Sequence, residues 1–549
     1  MEKPELDFIP TMGNAAARAR RLFGSRSYVV MPDRRLTFAE VDLASRRVAK
    51  ELLARGIGKG TRVAIHFSYG PEWAIAFFAV TRIGAVCLPM STVYTPAELR
   101  KAVVHGDVDT LIVPRHLQGV SHVPRVDQAF PSLTGQSADG RLLLPEAPFL
   151  RSILVGGQHE AGDPPWVGSI DLSADGASSI ADSVDDAMLD AAEAQVAPAD
   201  WLCIIHTSGT TGTPKGVIHT HGAFLRHCHH LGRFNGMGPD STQFSGLPWF
   251  WIGGLVLSIG QAIVLGFSML CLERFDNEQA LDLIIAERPV QIGMWGQLAQ
   301  KFRQYVASTG RDVSMVPALT PVPGAPVDPE LYHNSLGQTE TLGPHTAAGP
   351  EIGQALDERH RGSFGSRVPL IEHRVIDPES GQDVAPGEQG EVVVRGYSLS
   401  AGLYKCERDE AFDDDGWLHT GDLGYFKDGY LFFKGRRTEM IKTLGSNVAP
   451  REVEVVLESA PGVGLAIVIG VPDEERGQVV GAVLVRKPGE TIDETGVHDH
   501  AAAELSSYKV PRRTIVMDPD DLPMLGSGKP DKLALRAMLE AVSGDRVAT

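Results

Sequence analysis

Cysteine is scarce in this chain. Its five residues (Cys87, Cys203, Cys228, Cys271 and Cys406) are odd in number, widely scattered and form no CxxC pair. That pattern fits thiols kept reduced in a cytoplasmic protein better than a disulfide framework or a cysteine zinc centre. Basic charge is short as well: 51 Lys and Arg against 69 Asp and Glu give a formal net charge of -18. The deficit argues against a nucleic acid or an anionic membrane as the main partner, although a small anion can still be held by local donors. No G-x-S-x-G occurs, which disfavours a serine hydrolase of the nucleophile-elbow kind. The opening MEKPELDFIP lacks the basic, apolar, small-residue order of a signal peptide, so a cytoplasmic location is expected. Charge is missing altogether between Asp240 and Glu273. That stretch is long enough to span a bilayer, but Pro248, Gly253, Gly254, Gly260 and Gly266 interrupt it and no basic cluster flanks it. A buried strand–helix–strand unit is expected there, and no membrane span.

What is present is an alternation of helix-like and strand-like segments. Leu36–Leu53 is amphipathic at helical spacing, Arg62–Phe67 is a short apolar strand, Pro71–Ile83 is helical and Gly84–Leu88 is a strand again. Alternation of this kind predicts an α/β fold with mostly parallel sheets and covering helices. Residues 115–195, rich in Gly, Pro, Ser and Asp, predict surface structure with few elements. A second α/β body follows from about 200 to 350, and a β-rich part begins at Ser363 with strands at Val368–Ile376 and Glu391–Arg395. After Gly435 the chain restarts with helix, strand and helix patterns of a small α+β domain. At 549 residues the chain exceeds one core, and the expected division is 1–436 and 437–549.

The most informative string runs from Ile205 to Val217 and reads I-H-T-S-G-T-T-G-T-P-K-G-V. An apolar strand, Trp201–Ile205, enters a loop of hydroxyls and glycines that ends in Lys215. Glycines let backbone N–H groups turn inward, hydroxyls add donors and the lysine adds positive charge, which is what a polyphosphate needs. It is not the kinase-type P-loop, because Pro214 precedes the lysine and Gly216 follows it. Further along stand Gly337-Gln338-Thr339-Glu340, Gly416-Trp-Leu-His-Thr-Gly-Asp422, Gly435-Arg436 and Pro523-Met-Leu-Gly-Ser-Gly-Lys529.

In this order the strings resemble those of the ANL adenylate-forming superfamily, in its acyl-CoA synthetase branch, over nearly the whole chain. The resemblance implies ATP, Mg²⁺ and coenzyme A as partners of a small-molecule carboxylic acid, with a mobile C-terminal domain. It casts Thr207, Glu340 and Lys529 as catalytic. Thr207, Ser208, Gly209, Thr210, Thr211, Gly212 and Lys215 would form the phosphate loop, and Gly324, Ala325 and Pro326 a nucleotide-binding turn. Leu336, standing where the family has tyrosine, and Gly337, Gln338 and Thr339 would line the nucleotide, with Glu340 on Mg²⁺. Asp422 would accept both ribose hydroxyls, and Arg436 would contact the ribose or phosphates. Lys529 would neutralise charge between the attacking carboxylate and the α-phosphate. Thr438 takes the hinge position, and Lys442, Leu444 and Gly445 the thiol tunnel. Trp249, Phe250, Trp251 and Gly253 occupy the family's aromatic motif and suggest a pocket for a bulky, apolar acid. Acceptance by a carrier protein or a partner acyltransferase is the alternative, and a homodimer is a possible assembly. The histidines His206, His219, His221, His227, His229 and His230 lack cysteine or carboxylate at zinc spacing and are expected to be solvated or capping.

Overall fold

A computed structural model describes residues 3–207, 215–294, 296–319, 335–347, 356–443, 446–473, 476–505, 507–525 and 528–542. The chain divides into two compact units, Met1–Glu372 with Arg395–Leu418, and His373–Val394 with His419–Thr549. The expected boundary at 436/437 falls inside the second unit, where helix Pro450–Glu458 packs on strand Tyr430–Arg436.

Two largely parallel sheets form the first unit, as the α/β alternation predicts. One runs in the order Gln291–Gly293, Thr242–Ser245, Ser268–Leu270, Ser27–Val30, Arg35–Thr37, with only the last pair antiparallel. The other runs Gly402–Tyr404, Lys215–Thr220, Trp201–Thr207, Val86–Pro89, Arg62–Ile65, Thr110–Val113, Ser152–Gly156, Gly168–Ile170. Neighbours among its first three strands are antiparallel, and the remaining pairs are parallel. Helix Phe38–Ala54 begins at a capping box in which Thr37 and Glu40 satisfy each other's backbone N–H groups. The uncharged stretch folds as expected: strand Thr242–Ser245, a helical run from Ile252 to Leu265, then strand Ser268–Leu270. The middle of that run, Leu255–Gly260, is π-helical. Among the described residues no helix is long and apolar enough to cross a membrane.

Residues 115–195 hold more structure than expected. Strands Ser152–Gly156 and Gly168–Ile170 extend the eight-stranded sheet, and helices form at Val123–Ala129 and Asp186–Ala194. Ile153, Leu154 and Val155 are all buried, so the strand has no polar face and shows no alternation in sequence.

Strands Tyr430–Arg436, Leu418–Lys427, Gly390–Gly396 and Ile371–Ile376, most of whose residues fall in the second unit, lie side by side in that order. The C-terminal sheet runs Ser446–Val448, Ile441–Thr443, Gly477–Arg486, Val463–Asp473, with Arg513–Met517 parallel to Gly477–Arg486. Its period-two pattern is sorted to two faces. Ala466, Val468, Val480, Ala482 and Leu484 pack with Val453, Leu457 and Val497, whereas Ile467, Ile469, Val483 and Val485 pack with Leu535 and Leu539.

Arg82, fully enclosed in helix Pro71–Arg82, ties the first unit together. Its guanidinium pairs with Asp42 at 2.7 Å and Glu193 at 2.7 Å and also donates to Ser45 Oγ at 2.6 Å. Among the described residues, Arg82→Leu leaves the half-exposed Arg20 as the remaining cation beside the buried Asp42. The expected cost is roughly 3 kcal/mol, read as a lower urea midpoint of the transition reporting the first unit; an unchanged midpoint contradicts it.

Candidate functional site

In the first unit, strand Trp201–Thr207 turns back as Lys215–Thr220, with Thr207 opposite Lys215. Thr207 Oγ1 lies 3.5 Å from the Lys215 carbonyl, so both ends of the loop meet at the rim of the sheet. Ser208, Gly209, Thr210, Thr211 and Gly212 lie outside the described residues, as do Gly324, Ala325 and Pro326. Lys215 is exposed. Its strand packs against the 3₁₀ turn Thr339–Thr341, which carries Glu340.

The Glu340 turn is tightly specified. Leu336–Gln338 pairs with Gly343–Ala347, and a Cβ on Gly337 would stand 2.1 Å from the Gly343 carbonyl, so only glycine fits. Thr341 Oγ1 donates to the Gly343 carbonyl at 2.6 Å and accepts from the Gln338 N–H at 3.1 Å. The Glu340 carbonyl accepts from the Ser400 N–H at 2.8 Å, a support that no sequence motif announced. Leu336, Thr339 and Glu340 are half-buried. A lysine hairpin and a carboxylate turn are thus held in one body, suited to a chelated polyphosphate.

The histidines are placed differently from expectation. His206, His219, His221 and His227 are buried, because the run covers two strand ends and the inner face of helix His221–Phe234. His206 meets His105 at 3.2 Å, His221 Nδ1 accepts from the Met12 N–H at 3.2 Å, and His227 Nδ1 lies 3.3 Å from the Tyr397 hydroxyl. Burial drives His219 and His227 down to about 3 and His206 to about 4. Among the described residues no three or more His, Cys, Asp or Glu side chains are grouped to hold a metal.

The aromatic motif divides. Trp249 is wholly enclosed, donates its indole N–H to Ser245 Oγ at 3.1 Å and packs on Trp73 and Tyr69. Phe250 is nearly buried, Gly253 is buried, and Trp251 remains half-buried against Phe250. Tyr69 was not singled out in the sequence, yet its ring lies on Trp249 and Phe250 and also lines a cavity of about 320 Å³ with Ser68, Arg115 and Asp171. That cavity opens where strands Arg62–Ile65 and Thr110–Val113 end, the point at which strand order reverses and open sheets leave a crevice.

In the second unit, Asp422 is fully buried on strand Leu418–Lys427 and opposite Arg436, whose Nε lies 2.7 Å from Oδ1. The Asp422 N–H donates to Thr420 Oγ1 at 3.0 Å. Thr438 lies in the 3₁₀ turn Arg437–Glu439 and Lys442 in strand Ile441–Thr443, while Leu444 and Gly445 fall outside the described residues. Lys529 is exposed, and its carbonyl accepts from the Leu525 N–H at 2.8 Å. Lys532, three residues on, reaches Glu439 at 2.9 Å.

An exposed lysine hairpin, a carboxylate turn beside it and an arginine-paired buried carboxylate describe an α/β enzyme built to handle a nucleotide. Comparison with known proteins carries this further. Residues 16–404 match the family model for AMP-binding enzymes, and residues 452–529 match the AMP-binding enzyme C-terminal domain. A relative from Bacillus subtilis (strain 168) that bears the name "Putative acyl-CoA synthetase YngI" is 30% identical over 543 residues, 96% of each chain. The sulfoacetate–CoA ligase of Cupriavidus necator is 28% identical over 547 residues, 97% of this chain and 99% of the relative. The ATP-bound structure of MatB from Rhodopseudomonas palustris aligns with a TM-score of 0.75 at 25% identity, over 96% of this chain and 99% of that one. This chain belongs to the AMP-binding enzyme family, as an AMP-forming acid–thiol ligase that activates a carboxylic acid with ATP and passes the acyl group to coenzyme A.

The buried histidines make acid stability testable. A free imidazole titrates near 6.5, so below that pH the unfolded chain binds protons that folded His219 and His227 refuse until about pH 3. Their contribution is therefore complete above pH 6.5 and is lost on acidification, at up to about 1.4 kcal/mol per pH unit per histidine. His227→Gln is expected to lower the slope of unfolding free energy between pH 6 and 4 by one proton's worth, measured by urea titration; an unaltered slope refutes the assignment.

Proposed function

We propose that the acid is bulky and apolar, and that the residues named by the sequence motifs carry the two half-reactions. In the first, a carboxylate oxygen attacks the α-phosphorus of ATP, the bond to the β-phosphate oxygen breaks, and pyrophosphate leaves. In the second, a thiol attacks the acyl carbonyl, AMP departs with the bonding pair, and the thiol proton passes to solvent. Lys215 and the loop from Thr207 hold the β- and γ-phosphates. Thr339 approaches the α-phosphate, Asp422 with Arg436 holds the ribose end, and Lys529 offsets charge between the two anions as they meet. Glu340, a half-buried hard-oxygen donor beside the lysine strand, suits Mg²⁺, which when bound would screen phosphate charge.

The observation that carries this reading is the packing of the Lys215 strand on the Glu340 turn. Support for a pivot at Thr438 comes from the chain leaving strand Tyr430–Arg436 through a 3₁₀ turn whose Glu439 is held by Lys532. Residues 437–549 would then be the mobile part, turning so that one site serves two reactions. The aromatic patch around Tyr69, Phe250 and Trp251 supports an apolar acid. Free thiols at all five cysteines fit a cytoplasmic setting. Leu444, a bulkier side chain than a thiol tunnel favours, keeps a carrier-protein thiol as the second acceptor to test.

Lys529→Ala is expected to slow acid-dependent pyrophosphate release by about 10²-fold or more, while thioester formation from supplied acyl-adenylate stays within a few-fold. Adenylation at the parent rate removes Lys529 from this role. Thiol loss with coenzyme A across a panel of acids distinguishes the small thiol from a carrier protein.

A further inference from the structure

Glu391 is a buried, doubly engaged carboxylate of the second unit, and neither half-reaction uses it. It lies on strand Gly390–Gly396 with its side chain 1% exposed. Oε1 accepts from the Gly421 N–H at 3.1 Å. Oε2 pairs with Arg437 Nη1 at 3.0 Å and has His419 Nδ1 at 3.5 Å. Strand Leu418–Lys427 lies between the strand of Glu391 and strand Tyr430–Arg436. Asp422 faces Arg436 across that ladder, and Gly421 is the residue just before it. Glu391, from the neighbouring strand, bonds the Gly421 N–H and Arg437 together. A buried carboxylate persists only when paired and hydrogen-bonded, and here both oxygens are engaged.

The consequence falls on Asp422. Gly421 adopts φ +70, in the left-handed region that glycine enters freely, so its own torsions hold the neighbouring residue weakly. The Glu391 hydrogen bond fixes the 420–421 peptide, and the next residue is the carboxylate assigned to the ribose. We propose that Glu391 is a positioning residue for nucleotide binding: it aims Asp422 through Gly421 and, through Arg437, joins that turn to the segment carrying Thr438. The two arginine–carboxylate pairs, Asp422 with Arg436 and Glu391 with Arg437, act as one clamp. This inference rests on the reading of Asp422 as the ribose carboxylate.

The test is the KM for ATP in acid-dependent pyrophosphate release. Glu391→Ala is expected to raise it about tenfold with kcat changed much less, the scale of a lost hydrogen bond to a charged group. Glu391→Gln can still accept from Gly421 but loses the charge that pairs with Arg437, so a smaller rise of about threefold is expected. Arg437→Ala should match Glu391→Gln, and the double variant should be no worse than either. An unchanged KM in Glu391→Ala, or a fall in kcat that only tracks a lower melting temperature, overturns the proposal. If Glu391→Ala fails to fold, an unchanged KM in both Glu391→Gln and Arg437→Ala overturns it equally. Asp422→Ala separates the two readings. A raised KM there but not in Glu391→Ala defeats the positioning role alone, whereas no rise in either defeats the ribose assignment with it.

Discussion

Repulsion between a carboxylate and a polyphosphate is the constraint on which this structure depends. In water the two anions keep apart. Bringing one oxygen onto the α-phosphorus requires positive charge and aligned donors at fixed places. The chain as a whole is acidic, with 69 acidic against 51 basic side chains, so its net field does not help. Local chemistry has to do so, and the proposed sources are Lys215 at the end of a hairpin, Arg436 on Asp422, and the exposed Lys529.

The two carboxylates, Glu340 and Asp422, sit on segments fixed by hydrogen bonds from neighbouring polar groups. The Glu340 turn is closed by Thr341 and tied to Ser400, and the Asp422 turn is closed by Thr420 and tied to Glu391. Such supports matter because a buried polar group without a partner costs more than a hydrogen bond contributes. Glycine appears where the support needs backbone in an uncommon place, at Gly337 for close strand approach and at Gly421 for a left-handed torsion. Both stand within two or three residues of a carboxylate, so side-chain chemistry and backbone permission are encoded together.

Much of this was legible in sequence. Helices Phe38–Ala54, Pro71–Arg82 and Pro450–Glu458 and strand Gly390–Gly396 lie within about two or three residues of expectation, because amphipathic period and capping residues act locally. The uncharged stretch after Asp240 resolved correctly because proline and glycine punctuate it. Strand Ser152–Gly156 was not legible: it is buried on both faces and lies in a region whose composition signals loop. The histidines misled because polarity suggests solvent, whereas the tertiary fold turned four of them inward.

By itself the sequence determined the chemistry on offer: a hydroxyl- and glycine-rich loop ending in Lys215, the carboxylates Glu340 and Asp422, and the lysine of the last turn. These are local strings, and short-range sterics and charge suffice to read them. Only the tertiary structure decided which groups share a body and which are enclosed. Trp249 became core, Tyr69 became the wall of a cavity, and Glu391 reached Arg437. Such contacts join residues 46 to 180 positions apart, and no local pattern records them, because strand order and register are set by the burial of the whole sheet.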